Sequence, residues 1–93
     1  METDAFLAAI GAQVRRVRVA RGLSQERLAE CAGIHRNYVG LIERGERNVT
    51  LGVVVDVAEA LDITLAELFA DLPRREPIST QAVGASPVDG EAA

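Results

Sequence analysis

This chain of 93 residues has no lysine, no tryptophan, one cysteine, one histidine and only three aromatic residues. With Cys31 alone, no intrachain disulfide and no cysteine-based metal site can be built, which fits a reducing, cytoplasmic setting. Placed just after Leu28-Ala29, Cys31 is expected to be a small core residue. His35 is the lone imidazole and makes no metal site by itself. The residues suggest no metal, no cofactor and no domain for sensing a small molecule. No apolar run approaches the roughly 18 residues of a membrane span. The start, METDAFLAAIGAQVRR, sets acidic residues before its apolar run, unlike a secretory signal. Neither a nucleophile–base pair nor a pocketed carboxylate dyad is apparent, so the chain does not read as an enzyme. Its length holds one small core. With apolar residues at 48% and so few rings, Leu, Ile, Val and Ala must do the packing, as in an all-α domain.

What is present is unevenly spread. The net charge is −4, yet residues 15–47 hold eight Arg against four Glu, whereas residues 48–93 hold two Arg against eight Asp or Glu. Every basic residue is Arg, whose planar fork suits phosphates and guanine edges. A clustered Arg face in an acidic chain is a partial footprint of a nucleic-acid surface.

Helical spacing organises the first 72 residues. A first helix is predicted from about Asp4 to Arg21, capped by Thr3 or Asp4, with Leu7, Ile10, Val14 and Val17 on one stripe and Gly22 as the stop. Ser24 opens a short second helix that ends near Cys31. Arg27 stands where a capping box wants Glu or Gln, so half of that box is present. Ala32-Gly33-Ile34 form a tight connection. A third helix is predicted over about Arg36 to Arg44, closed by Gly45. A fourth follows Thr50, with Leu51, Val54, Val57, Ala58 and Leu61 inward. The VVV run favours strand by propensity, but Thr50 as a cap, the interruption by Asp56 and Glu59, and the continuing helical period favour helix. Thr64 and Glu67 form a capping box for a last helix ending near Leu72, where Pro73 stops it. Residues 73–93, PRREPISTQAVGASPVDGEAA, lack periodicity and read as a flexible tail, or as an arm that orders on a partner.

Ser24 to Arg44 is thus helix, Gly-containing turn, helix. In the helix-turn-helix arrangement the second helix enters the DNA major groove and the first crosses above it. The groove is about 12 Å wide and admits one helix with its side chains. Arg36, Asn37 and Gly40 fall on the outward face of the third helix, and Val39 and Ile42 on the inward one. Gly40 weakens a helix by about 1 kcal/mol relative to Ala, so it needs a reason: close approach of DNA, or close helix packing.

The run RGLSQERLAECAGIHRNYVGLIERGERNVTLGVVVDVAEALDITLAELF resembles the Cro/cI-type (Xre) family of helix-turn-helix regulators, over about residues 10 to 69. Its anchors are Leu23-Ser24-Gln25, Leu28-Ala29, Ala32-Gly33-Ile34, Ile42-Glu43-Arg44-Gly45, and Leu51 with Ala58 and Leu61. The IERG-x-RN segment is most similar to controller proteins of restriction-modification systems. The resemblance implies a compact five-helix, lambda-repressor-like DNA-binding domain over residues 1–72. It also implies roles. Arg36 and Asn37, with Gly40 and Leu41, hold the base-reading positions; Leu41 meets a thymine methyl or packs. Gln25 contacts a phosphate and props the third helix. The Ser24 amide, Tyr38, Arg44, Arg47 and Asn48 face phosphates. His35 replaces the usual Ser, Thr or Asp cap, which leaves a phosphate as its partner. Arg18 and Glu43 form a semi-buried ion pair. Arg15, Arg16, Arg21 and Arg27 read as solvated surface.

One recognition helix reads only a few base pairs, so the expected binder of double-stranded DNA is a homodimer on a palindromic operator. Val53 and Val55, lying outside the inward stripe, join Leu65 and Phe69 as its expected interface. The competing reading is an antitoxin or interaction module that holds a partner protein through the fourth and fifth helices or the tail. The segregated Arg face has a direct consequence. DNA affinity should fall steeply with salt, each neutralised phosphate adding about −0.9 to the slope of log affinity against log salt concentration. A flat response in fluorescence anisotropy titrations from low to high salt contradicts an Arg-based face.

Overall fold

Asp4 begins the first helix by offering its carboxylate to two first-turn amides, those of Phe6 at 2.7 Å and Leu7 at 3.3 Å. The computed structural model describes residues 4–72, all-helical with no strand among them. Helix α1 spans Ala5–Ala20, α2 Gln25–Ala32, α3 Arg36–Glu43, α4 Leu51–Leu61 and α5 Leu65–Leu68. Thr3, the other candidate cap, and the segment 73–93 with Pro73 lie outside the described residues.

Each remaining helix starts on a side-chain cap. Ser24 Oγ accepts from the Arg27 amide at 2.9 Å, and Thr50 Oγ1 from the Val53 amide at 3.3 Å. Thr50 therefore launches the VVV run as helix. The Thr64–Glu67 capping box is complete, with the Thr64 amide donating to Glu67 Oε1 at 2.8 Å and the Glu67 amide to Thr64 Oγ1 at 3.0 Å. The helix it opens is a single turn, ending at Leu68 rather than near Leu72; the chain continues as turns through Asp71. At the other end of α4, Asp62 adopts φ 59°, the left-handed conformation usually left to Gly or Asn after a helix. Arg21 steadies that corner, donating to the Asp62 carbonyl at 3.1 Å.

The core is aliphatic. Val14, Leu28, Val39, Leu61 and Leu68 are its largest fully buried side chains, with Ile10, Ile42, Val54 and Val57 around them. Phe6, Val17, Leu23, Ile34 and Tyr38 seal its edge. Helix α1 packs on α3, α2 on α3 and α4, and α5 closes against α1 and α4. Three expectations fail here. Leu51 is 70% exposed: it is the first residue of α4, and the inner stripe begins one turn later at Val54. Cys31 is exposed as well, because the inward stripe of α2 runs through Leu28, Ala29 and Ala32 and leaves position 31 outside. Val53 departs in the opposite sense, packing partly against the core beside Ile10, Val14 and Val57. Among the described residues no helix is long and apolar enough to cross a membrane.

Sequence reading passed over Gly11, which decides how closely α1 and α3 approach. A Cβ there would stand 2.6 Å from the Glu43 carbonyl oxygen and nearer still to that of Ile42. These are backbone atoms at the end of α3, so no side-chain movement relieves the clash. Gly11→Ala should therefore destabilise the domain by about 1–3 kcal/mol through overpacking. Gly52→Ala, with nothing within 4 Å of the added atom, should be neutral or stabilising by up to about 1 kcal/mol. Urea unfolding of the two variants should give opposite signs.

Candidate nucleic-acid interface

The recognition geometry starts at the turn between α2 and α3. Gly33 takes φ 73° and closes α2, its amide bonding to the Ala29 and Glu30 carbonyls. The Ile34 amide bonds to Ala29 O at 3.0 Å, and the Ile34 side chain packs against the core. His35 then caps α3: its Nδ1 accepts from the Asn37 amide at 3.0 Å. The expectation that His35 leaves this helix uncapped is thus corrected. An imidazole nitrogen without a proton is as good an acceptor as a hydroxyl oxygen, and the bond leaves Nε2 facing outward as the available ring donor.

Behind the turn sits a charged joint. Arg18 Nε donates to Glu43 Oε2 at 2.6 Å and Nη2 to Glu43 Oε1 at 3.1 Å. Arg18 Nη1 donates to the Leu23 carbonyl at 2.8 Å, and Gln25 Nε2 adds a bond to Glu43 Oε1 at 3.0 Å. Arg18 is 9% exposed and the Glu43 side chain 3%. One carboxylate on α3 is therefore held by α1 and by the first residue of α2, which ties the reading helix to both. One N–H of the Gln25 NH2 group is engaged with Glu43, so the donors left for the phosphate role implied for Gln25 are its second side-chain N–H and its backbone N–H.

In front of this joint lies an open cleft of about 710 Å³, lined by Ser24, Gln25 and Glu26 at the start of α2 and by Arg36, Asn37, Gly40, Leu41 and Arg44 along α3. Arg36 and Asn37 are exposed, and among the described residues neither side chain has a hydrogen-bond or ionic partner. Leu41 is half-buried at the same face. Beyond the helix, Arg47 lies over the Tyr38 ring, its guanidinium carbon 5.6 Å from the ring centroid. Asn48 is exposed beside it. Arg44 is paired within the chain, Nε to Glu46 Oε1 at 3.1 Å. The structure leaves Gly40 without a helix packed on it; the nearest atoms to a Cβ there belong to Arg44. On α2, Arg27 is tied to Glu30 at 2.8 Å, and that hydrogen bond raises its guanidinium above the ordinary value.

The same architecture occurs in known proteins. A helix-turn-helix family model matches residues 14–68. The chain belongs to the helix-turn-helix family. Its relatives in that family include the control protein C.SmaI of Serratia marcescens, 48% identical over 56 residues that cover 60% of this chain and 67% of that protein. Among solved structures, the restriction-modification controller protein C.AhdI from Aeromonas hydrophila superposes with a TM-score of 0.70 at 50% identity, covering 71% of this chain and 100% of that one. The controller protein C.Esp1396I, solved as a tetramer on its natural 35-base-pair operator, matches with a TM-score of 0.66 at 26% identity, over 70% of this chain and 86% of that one.

The ion pair is the part of this family fold most open to test. Removing one partner of a buried pair strands the other, at a cost of about 3–5 kcal/mol. Glu43→Ala should show a loss of that size in urea unfolding. Adding Arg18→Met to it should recover most of the loss, since an apolar pair leaves no buried charge.

Proposed function

We propose that this protein is a sequence-specific regulator of transcription that binds double-stranded DNA as a homodimer, in the manner of restriction-modification controller proteins, with α3 in the major groove. The observation that carries this reading is the pair Arg36 and Asn37. Both sit exposed at the start of a firmly seated α3, with no partner among the described residues. Buried elsewhere they would be a cost; facing base edges they match the pairings of Arg with guanine and Asn with adenine. The Ser24 amide at the head of α2, His35 Nε2, the Tyr38 hydroxyl, Arg47 and Asn48 contact the phosphates that flank the groove. Residues 1–72 act as the DNA-binding unit and 73–93 as its appendage, in the cytoplasm where the DNA lies.

Dimerisation follows from the apolar surface on the far side. Val55 is half-buried, and Leu51, 70% exposed, stands one turn before it on α4. Leu65 and Phe69 are also half-buried. Together with the outer edge of Val53 they offer a strip that a twofold copy can cover, holding two α3 helices about 34 Å apart. The relative's 35-base-pair operator spans roughly three helical turns, room for two such dimers side by side.

Selection of bound sequences from random DNA should return an inverted repeat with half-sites about one helical turn apart. Arg36→Ala should relax preference at one position of each half-site. Arg47→Ala should weaken all sequences alike and lower the salt slope by about 1. Identical behaviour of the two variants overturns the division between reader and clamp.

A further inference from the structure

Arg44 stands at the C-cap of α3, the place from which a side chain ordinarily reaches sideways to a phosphate. Here it folds back. Helical side chains lean toward the N-terminus and cover the surface one turn earlier, and the three atoms nearest to a Cβ built on Gly40 all belong to the Arg44 guanidinium, with Nη1 at 3.1 Å. The lack of a side chain at Gly40 is what makes that room. Asn37, Gly40, Leu41 and Arg44 follow one another at three- and four-residue steps, so they share one outward stripe. Arg44 accordingly lines the same cleft as Arg36, Asn37 and Leu41, a cleft that Arg47 and Asn48 do not line.

Its pairing is equally telling. Arg44 Nε is held by Glu46 Oε1 at 3.1 Å. A phosphate grip needs net positive charge, and a carboxylate fixed against it cancels much of the attraction. Holding a fork in one direction is a different task, and there the carboxylate helps. With Nε occupied, the free edge is Nη1 with Nη2, whose two parallel N–H bonds match guanine O6 and N7.

We propose that Arg44 is a specificity-determining residue that reads a guanine, with Glu46 and Gly40 as its positioning residues. This rests on α3 being the DNA-reading helix. The assignment replaces the phosphate role implied for Arg44 by its place in the sequence.

The test uses the full chain: selection from random DNA, then competition titrations at fixed salt. Arg44→Ala should lose preference at one base pair per half-site that Arg36→Ala leaves intact, by roughly 5- to 150-fold, the range expected of one good bidentate contact. Arg44→Lys keeps the charge and should keep the salt slope, yet should not restore that preference. Glu46→Ala should blunt the preference at the same base pair while raising affinity for unrelated DNA. Gly40→Ala, which favours the helix and so keeps the domain folded, should displace the guanidinium and blunt it too. If Arg44→Ala and Arg44→Lys select the wild-type sequence unchanged, with equal loss across all sequences, Arg44 is a clamp and the proposal falls. If the wild-type protein itself selects no sequence, it is the assignment of α3 to DNA that fails.

Discussion

The structure depends on one buried carboxylate. Glu43, at the last turn of α3, accepts three hydrogen bonds, two from Arg18 on α1 and one from Gln25 on α2. Helices of eight residues, as α2 and α3 are, are too short to be stable alone in water, and apolar packing by itself tolerates rotation and sliding. A charged, directional contact does not. Burying the pair contributes little net stability, because desolvation offsets most of the attraction. Its effect is on geometry: any other angle between α1 and α3 leaves a charge buried without a partner, and the Gln25 bond ties α2 to the same carboxylate.

Close approach of α1 and α3 is the condition for that contact. Gly11 supplies it, letting the α1 backbone lie against the Ile42 and Glu43 carbonyls. The same residue type acts differently at Gly40, where the vacant space faces outward and is filled by a guanidinium from the next turn. One glycine seats the reading helix and the other shapes its outer surface.

The cations of the outer surface are sorted by their partners. Arg21 holds the Asp62 corner, Arg27 is tied to Glu30, Arg44 to Glu46, and Arg47 rests on Tyr38. Arg36, at the head of α3, has no partner among the described residues. A guanidinium already aligned by a neighbour loses less side-chain entropy when it engages a ligand, and an unpartnered one gives up no internal bond. The face is therefore mostly pre-arranged in the free protein, while the acidic residues concentrated after position 48 keep the rest of the surface unattractive to phosphates.

Much of this was legible in residue order. Helical spacing, the capping residues Asp4, Ser24, Thr50 and Thr64, and the Gly at position 33 determine five helices and the turn between α2 and α3, because these are local effects of a few neighbouring residues. Charge counted by segment places the basic face. Tertiary structure alone decided the rest. Cys31 lies outside and Val53 partly inside because the direction of each helix face depends on which neighbour covers it. Imidazole caps α3 at His35 because the local backbone brings Nδ1 to an amide. Gly11 has its role because α3 comes to it from thirty residues away, and Arg44 lies on the reading face because a side chain's direction at a helix end is set by the space around it. Spacing along the chain tells which residues share a face; only the packed helices tell what that face meets.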